Sequence, residues 1–320
     1  MPQLPVVIVA EALDSICCDW LAQRCQLITC LYGSESQLGD YLPDADGLVV
    51  RSYTQVNESF LSRAERLAVV GRAGVGIENI DLEACRRRDV SVVYTPDANT
   101  NAVVEYVTAL ILDDLRPRQD LIEPTDDKGF HSLRQDGIGV QLDQLTLGVV
   151  GFGRIGQRVG RVAHALGMDV LVNDLLYEEE LRKSVEYPFI YVDKQALYQD
   201  SDIITLHVDG RKENHCLIDA DALAHFKSNS MLINTARGML VDGTALRDWA
   251  QLNIGHGGRA VLDVHEPEPP PLDYPLYGLS NVRLLPHRAS RTRTALLNMS
   301  WVVRDVMGVL EGRQPMCPAF

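Results

Sequence analysis

The sequence of 320 residues lacks several features that assign a chain to common protein classes. No apolar window approaches the length of a membrane span, and the N-terminal residues lack the basic stretch and long apolar run of a signal peptide. Cations are in deficit, since 30 Lys and Arg stand against 44 Asp and Glu, a formal net charge of −14. Nucleic acids and anionic membrane surfaces need clustered cations, so neither is expected as the main partner.

Paired cysteines are also missing. The seven cysteines are an odd number, and no CxxC spacing occurs. We therefore predict reduced thiols, a cytoplasmic protein and no metal site. The remaining composition, with 46% hydrophobic and 23% charged residues, is typical of globular proteins, and the length suffices for two domains.

Short apolar runs alternate with helical patterns along the chain, which predicts an α/β fold of two doubly wound units with parallel sheets. Strands are expected at 5–10, 25–31, 47–51, 67–71 and 90–95, then, after a glycine-rich turn, at 170–174, 203–207, 231–234, 260–263 and 282–285. A helical pattern follows at 292–311. Between 116 and 141, Pro117, Pro124 and Gly129 interrupt the helical periodicity.

The segment 146–174 has the arrangement of a dinucleotide-binding turn. Gly151, Gly153 and Gly156 separate an apolar strand from an amphipathic helix, and Asp174 ends the next strand. The glycines permit a tight turn, close approach of a pyrophosphate and close helix packing. The Asp174 carboxylate is placed to accept both ribose hydroxyls of NAD and to repel the 2′-phosphate of NADP, so we predict NAD. The alternative is a turn without a ligand.

Three residues after later strands fit the oxidation of a secondary alcohol by a nicotinamide. Arg237 supplies a cation that holds and polarises the substrate, His287 supplies a base, and Glu268 supplies an acid that holds the base. A neighbouring carboxylate stabilises a protonated imidazole. From spacing alone, other interpretations stay open: Arg237 as a surface ion pair, Glu268 as a solvated acid and His287 as a turn residue.

Seven motifs occur in a fixed order between about residues 47 and 314. They are RSYTQV, GRAGVGIENIDLEAC, TPDANTNAVVEYV, LGVVGFGRIG, INTARGMLVDGTAL, AVLDVHEPEP and LPHRAS. On these motifs the sequence resembles the D-isomer-specific 2-hydroxyacid dehydrogenases, which include D-lactate, D-glycerate and D-3-phosphoglycerate dehydrogenases. The resemblance implies two Rossmann-like domains with a cleft between them, a homodimer, and hydride transfer between NAD and C2 of a small anionic 2-hydroxy or 2-keto acid.

The resemblance also implies residue roles. Arg237 binds the substrate carboxylate and carbonyl, His287 donates and accepts the proton, and Glu268, rather than Glu266, pairs with His287. The further implied contacts to the cofactor are Arg154, Ile155, His207, Thr235, Ala236, Asp263 and His287, and those to the substrate are Val75 and Gly76. We expect a discontinuous substrate-binding domain at 1–99 plus 288–320, and an NAD-binding domain at 100–287.

Two departures from the family pattern stand out. The family's HxPLT is here HVDGR, so Asp209 puts an acid beside the expected adenine and ribose, where it would weaken or reshape cofactor binding. Arg288 follows the histidine as an additional cation, either for an anionic substrate or for a surface acid. Since the chain ends at Phe320 without a regulatory domain, we expect no serine feedback.

The substrate and the function class each leave an alternative open. Arg51 and Ser52 stand where D-3-phosphoglycerate and erythronate-4-phosphate dehydrogenases place an arginine on the phosphate, which suggests a phosphorylated substrate. The other interpretation is that Arg51 only anchors its loop. The family also includes C-terminal binding proteins, corepressors that use this fold as an NAD-dependent assembly module and retain the same three catalytic residues.

Overall fold

The computed structural model describes residues 4–30, 35–118, 120–135 and 137–320. The strands are β1 (Val6–Val9), β2 (Gln26–Thr29), β3 (Gly47–Val50), β4 (Val69–Arg72), β5 (Ser91–Tyr94), β6 (Thr146–Val150), β7 (Asp169–Asn173), β8 (Ile190–Tyr191), β9 (Ile203–Leu206), β10 (Met231–Asn234), β11 (Arg259–Leu262) and β12 (Val282–Leu284). The helices are α1 (Ser15–Ala22), α2 (Glu35–Tyr41), α3 (Glu58–Leu61), α4 (Leu82–Arg87), α5 (Thr100–Leu115), α6 (Asp127–Gln135), α7 (Arg154–Ala165), α8 (Glu178–Ser184), α9 (Lys194–Asp200), α10 (Ala220–Ala224), α11 (Gly243–Asn253), α12 (Arg293–Ser300) and α13 (Val303–Leu310).

The chain divides into two compact units. Unit 1 comprises Met1–Thr100 and Ser290–Phe320, and unit 2 comprises Asn101–Ala289. Within the described ranges, no helix is both long enough and apolar enough to cross a membrane.

Unit 1 contains a parallel sheet in the order β2-β1-β3-β4-β5. Strands β1 and β3 are buried along their whole length, because their sequences, VVIV and GLVV, are apolar on both faces. Helix α13 packs closely on β4, where a Cβ at Gly71 would lie 2.4 Å from a side-chain methyl of Val306. Glycine at this strand position therefore permits the helix to approach the sheet.

Unit 2 contains a parallel sheet in the order β12-β11-β10-β9-β6-β7-β8. The order reverses between β6, which pairs with β7 on one side, and β9 on the other. Loops at the carboxyl ends of strands diverge at such a reversal and leave a crevice in which doubly wound proteins bind nucleotides. The glycine turn follows β6 directly, so the strand order places it at this position.

The α/β class with parallel sheets is confirmed, and every expected strand is present. The short β8 has no counterpart among the expected strands. The helical pattern at 292–311 forms two helices, α12 and α13, rather than one.

The expectation that Gly129 interrupts helical structure is wrong. Gly129 lies in the first turn of α6, where its N–H donates a 2.8 Å bond to the Asp126 carboxylate. This capping bond offsets the low helix propensity of glycine.

Candidate active site

The three glycines of the turn after β6 differ in their surroundings. Gly151 has φ +89°, and a Cβ there would lie 2.8 Å from the carbonyl carbon of His207, in the loop after β9. A Cβ at Gly156 would lie 2.1 Å from the carbonyl oxygen of Gly151, so α7 packs directly on the turn. A Cβ at Gly153 would meet no described atom within 4 Å. The turn is therefore closely packed at two positions and open at the third.

The open position lies at the start of α7. Gly153 is the N-cap of this helix and offers no side chain, and Arg154 and Ile155 begin its first turn. The N–H groups of a first helical turn have no partner within the helix and favour an anion such as a pyrophosphate. After β10, the hydroxyl of Thr235 is buried and has no hydrogen-bond partner in the described part of the chain. The open turn and this orphaned hydroxyl both fit a bound dinucleotide.

Asp174 follows β7 and is half-buried beside the glycine turn. Its Oδ2 accepts a 2.6 Å bond from the N–H of Phe152, and its Oδ1 accepts a 2.9 Å bond from the N–H of Leu176. A carboxylate oxygen accepts more than one hydrogen bond, so both atoms keep capacity for ribose hydroxyls. The two backbone bonds fix the carboxylate against the turn.

The loop after β9 carries His207 and the unexpected acid Asp209. Burial lowers the pKa of His207 to about 3, and its Nε2 lies 3.0 Å from the Thr205 hydroxyl, so the ring is neutral at physiological pH. Asp209 forms a two-bond ion pair with Arg211, at 2.7 and 2.5 Å. The hydrogen bond from Arg211 holds the pKa of Asp209 below its usual range. The negative charge of Asp209 is thus compensated locally.

Arg237 and Ala236 lie in a turn that Asn234 organises at the end of β10. The fully buried amide of Asn234 accepts a 3.0 Å bond from the N–H of Ala236 and donates a 2.7 Å bond to the carbonyl of Arg237. A Cβ at Gly238 would lie 2.0 Å from the carbonyl of His265. Glycine is therefore required directly after Arg237, because this turn packs against the start of the segment that carries Glu268.

His287 and Glu268 are in contact. Nδ1 of His287 lies 2.6 Å from Oε1 of Glu268, and both side chains are partly exposed, by 44% and 38%. Burial acts to raise the pKa of Glu268, but the hydrogen bond from His287 and the charge of that imidazole together lower it below its usual range. His287 has φ +52°, a left-handed conformation that non-glycine residues seldom adopt. Such strain is found where the surrounding structure holds a functional side chain in place.

Asp263 holds the strained loop in place. It is fully buried, and its carboxylate accepts N–H bonds from Arg288 at 2.9 Å and from Ala289 at 2.7 Å. The Tyr106 hydroxyl contacts the same carboxylate at 3.4 Å. Among the described residues, the exposed guanidinium of Arg288 has no ion-pair partner, so the surface-acid interpretation of Arg288 finds no support.

In unit 1, the loop after β3 presents Arg51 and Ser52, and Ser52 Oγ accepts a 3.4 Å bond from Arg72. Val75 and Gly76 follow β4 and are half-buried. These four residues lie at or near the carboxyl edge of the unit 1 sheet, whereas the three predicted catalytic residues lie at the carboxyl edge of the unit 2 sheet.

Sequence reasoning missed the residues that hold the functional loops. The sequence gives no role to Asn234 or Tyr106, and it predicts a cofactor contact for Asp263 rather than a role in the loop of His287. An Asn directly after a buried strand and before Thr-Ala-Arg is a local signal of a side-chain-capped turn. For Tyr106, which is 157 positions from Asp263, no local signal exists.

Comparison with known proteins identifies the family. Residues 108–289 match the family model described as D-isomer specific 2-hydroxyacid dehydrogenase, NAD binding domain, which confirms NAD as the predicted cofactor. The chain is 33% identical over 308 residues to D-3-phosphoglycerate dehydrogenase of Archaeoglobus fulgidus, covering 96% of this chain and 57% of that protein. It is 35% identical over 322 residues to (S)-sulfolactate dehydrogenase of Chromohalobacter salexigens, covering 95% and 98%.

A solved structure supports the same family assignment. D-lactate dehydrogenase of Aquifex aeolicus, complexed with NAD and lactic acid, superposes with a TM-score of 0.81 at 27% identity, covering 96% of each chain. The chain spans about half the length of the D-3-phosphoglycerate dehydrogenases that it matches, with 57%, 54% and 52% of three of them covered. The matched domain, the similarity over nearly the whole chain and the shared fold show that this chain belongs to the D-isomer specific 2-hydroxyacid dehydrogenase family.

Proposed function

We propose that the chain is an NAD-dependent oxidoreductase that interconverts a D-2-hydroxy acid and its 2-keto acid. The observation that carries this proposal is the 2.6 Å contact between His287 and Glu268, on the same sheet edge as the open glycine turn. A proton-transferring imidazole held by a carboxylate is what the reaction requires beside a nicotinamide.

Each residue has a distinct task in this proposal. NADH, held at the glycine turn and by Asp174, would supply the hydride that reduces C2 of the keto acid. Arg237 forks onto the substrate carboxylate and carbonyl, and polarises the carbonyl toward reduction. His287 delivers a proton to the forming hydroxyl from Nε2, because Nδ1 is engaged by Glu268. In the oxidative direction the neutral imidazole takes the hydroxyl proton. Val75 and Gly76 stay predicted contacts to the substrate carboxylate.

The substrate class follows from the other charged loop. We assign Arg51 and Ser52 to a second anionic group on the substrate, in addition to the carboxylate. The two curated relatives support this assignment, since one is named for 3-phosphoglycerate and the other for sulfolactate. Both compounds carry an acidic group beyond the carboxylate.

The experiment is an assay of NADH oxidation with pyruvate, hydroxypyruvate, 3-phosphohydroxypyruvate and 3-sulfopyruvate. We expect steady turnover with at least one of them, and a loss in kcat of about 10²- to 10⁴-fold in His287→Gln. Glu268→Gln is expected to lose less, because the proton-transferring ring remains. His256→Gln, at an exposed position outside the site, is the matched control. Near wild-type turnover in His287→Gln would refute the assignment.

The corepressor-type alternative, in which the fold binds NAD(H) as an assembly module, predicts a different outcome. Tight NADH binding in a fluorescence titration, without turnover of any of the four keto acids, would favour that alternative. Retention of the His287–Glu268 contact is compatible with either function, so only turnover separates them.

We also propose a homodimer that uses the segment around α6. Five large apolar side chains there are exposed: Leu121, Ile122, Phe130, Ile138 and Val140. None of the residues of α6 is buried within the chain. Exposed apolar patches of this kind mark interaction sites. Sedimentation should show a dimer that Ile122→Glu with Ile138→Glu weakens. The cytoplasmic setting stays a prediction.

A further inference from the structure

A second histidine lies close to the proposed catalytic residues but has no part in the chemistry. His265 comes three residues after the end of β11 and three residues before Glu268. It is only 6% exposed, and its ring packs edge-on against Tyr274, with the ring centroids 5.6 Å apart. A polar ring buried at this position calls for a physical reason, because burial of polar atoms costs free energy.

The ring of His265 is bonded to the loop that carries His287. Its Nε2 lies 2.8 Å from the carbonyl oxygen of Leu285, and because a carbonyl only accepts, Nε2 carries the proton of this bond. The N–H of Leu285 donates in turn to the carbonyl of Leu262 at 2.8 Å. Both backbone groups of Leu285 are therefore held.

Little conformational freedom separates the Leu285 carbonyl from His287. This carbonyl lies in one peptide plane with the nitrogen and Cα of Pro286, and the proline ring fixes the φ of Pro286. Only the ψ of Pro286 remains free before the peptide group that leads into His287. The position of the Leu285 carbonyl thus largely determines where the backbone of His287 begins.

The backbone of His265 contacts the turn that carries Arg237. A Cβ at Gly238 would lie 2.0 Å from the carbonyl carbon and oxygen of His265. Only a glycine after Arg237 permits this approach, so the two backbones lie directly against each other. This contact involves no side-chain atom of His265.

The segment between His265 and Glu268 is stiff. Pro267 and Pro269 stand on either side of Glu268, and each fixes its own φ and restricts the residue before it. Burial acts to raise the pKa of Glu268, and a hydrogen bond from the N–H of His265 adds to the larger effect of His287 in lowering it. The backbone of His265 is therefore linked to Glu268 as well.

The other ring nitrogen shows that packing alone does not explain a histidine at this position. Nδ1 of His265 is buried and has no hydrogen-bond partner among the described residues, which costs stability. A phenylalanine would occupy similar space without this cost. It would, however, lack the proton that Nε2 donates to Leu285. The bond to the loop of His287 is thus the feature that requires histidine.

We propose that His265 is a positioning residue that holds the loops of Arg237, Glu268 and His287 in a fixed arrangement. Its ring holds the loop of His287, and its backbone contacts the other two loops. This inference rests on the proposed function and deepens it. Loss of the ring bond should impair proton transfer by His287 and leave substrate binding by Arg237 intact, because the backbone contact at Gly238 remains.

The first experiment separates the hydrogen bond of the ring from its volume. His265→Phe keeps a ring against Tyr274 and removes the donor, whereas His265→Gln keeps an N–H donor and removes the ring. With a keto acid that the wild type reduces, His265→Phe should lower kcat about tenfold and leave KM unchanged. His265→Gln should keep kcat within about threefold of the wild type, since the donor is retained.

Two kinetic results would overturn the proposal. Wild-type kcat in His265→Phe would show that the bond to Leu285 is not needed. An equal or larger loss of kcat in His265→Gln would show that the volume of the ring, rather than its donor, is what the site requires.

Phe226→Leu is the matched control for a general loss of stability. Phe226 is a buried ring elsewhere in unit 2, packed against Tyr198 and Trp249. Its replacement should lower the thermal midpoint and leave kcat unchanged. His265→Phe should do the reverse, because removal of the unpartnered Nδ1 offsets the lost bond in stability but not in positioning. A similar fall of kcat in both variants would refute the positioning role.

Hydrogen exchange tests the inference without turnover. The N–H groups of Leu285, Arg288 and Ala289 are all hydrogen-bonded. Exchange in a peptide that spans 285–289, followed by mass spectrometry, therefore reports whether the loop of His287 is held.

Exchange in this peptide should be faster in His265→Phe than in the wild type, and close to the wild type in His265→Gln and Phe226→Leu. That result without reduction of any keto acid would support the positioning of the loop and refute the proposed function. Wild-type exchange in His265→Phe would overturn the inference, whether or not keto acids are reduced.

Discussion

The carboxylate of Asp263 accepts a 2.7 Å hydrogen bond from the N–H of Ala289, two residues after His287. Together with the bond from the N–H of Arg288, this contact fixes the backbone directly after His287, whose φ is +52°. Before His287, the N–H of Leu285 donates a 2.8 Å bond to the carbonyl of Leu262, which continues the pairing of β12 with β11. The imidazole therefore projects from a short segment that is held at both ends.

Replacement of Asp263 by Asn should loosen this segment. An amide presents one acceptor and one donor, so one of the two N–H groups loses its partner, at a cost of about 1–3 kcal/mol. We expect kcat for keto-acid reduction to fall by up to about 10²-fold, because small misplacements of a catalytic group are costly. NADH oxidation by Asp263→Asn checks this.

Tyr106→Phe is the milder companion variant. It removes only the 3.4 Å contact to Asp263 and should lower kcat less than tenfold. A larger loss in Tyr106→Phe than in Asp263→Asn would show that the hydroxyl, rather than the two backbone bonds, holds the segment in place.

The pKa of Glu268 gives a prediction for stability against pH. It is lower in the folded chain than in the unfolded chain, because the hydrogen bond and charge of His287 outweigh burial. The carboxylate therefore stabilises the fold above its ordinary pKa of about 4.3, and this contribution is lost as the pH falls through the lower folded-state value. Urea unfolding of the wild type and Glu268→Gln should differ near pH 6, and the difference should shrink as the pH falls below the ordinary carboxyl pKa.

Glu266→Gln serves as the control for that comparison, since Glu266 is an exposed acid two residues away. Its unfolding curve should follow the wild type across the whole range. If the difference between wild type and Glu268→Gln instead grew toward low pH, the sign of the predicted linkage would be wrong.

Alanine at Gly151 should lower stability, whereas alanine at Gly153 should lower NADH affinity. At Gly151 the side chain meets the His207 backbone and a φ of +89°, so we expect the thermal midpoint of unit 2 to fall by several degrees. At Gly153 the side chain meets no described atom within 4 Å, so stability should change by less than about 0.5 kcal/mol. NADH affinity should nevertheless fall in Gly153→Ala, because the added methyl occupies the space of the pyrophosphate.

Calorimetry and NADH fluorescence measure these two properties separately. Loss of stability in Gly153→Ala with unchanged NADH affinity would show that the open position is not the pyrophosphate site.

Asp174→Ala should relax the preference for NAD over NADP by about tenfold, because a negative charge facing the 2′-phosphate is removed. Arg211 lies within electrostatic reach: the pKa of Arg211 is raised mainly by Asp209 and also by Asp174. The gain with NADPH should therefore be smaller in Asp174→Ala combined with Arg211→Ala. Steady-state kinetics with both cofactors check this, and an unchanged preference in Asp174→Ala would contradict the predicted ribose contact.

The sequence alone determined the features that depend on neighbouring residues. Three local patterns were enough to predict the fold class, the cofactor and a set of candidate residues: the strand period, the glycine turn with Asp174 and the order of the polar loops. The order of the motifs predicts catalytic roles for Arg237, Glu268 and His287, whereas their spacing alone leaves other interpretations open.

Only the tertiary structure decided what holds those residues. The carboxylate of Glu11 lies 40 to 43 positions from the N–H groups of Arg51 and Thr54 that it binds, and Asp263 lies 26 positions from Ala289. No local pattern links such pairs, because an isolated acid after an apolar strand looks the same whether it is solvated or buried. Burial distinguishes the two cases. A carboxylate removed from water needs hydrogen-bond donors from the folded chain. In this chain those donors are backbone N–H groups of the functional loops.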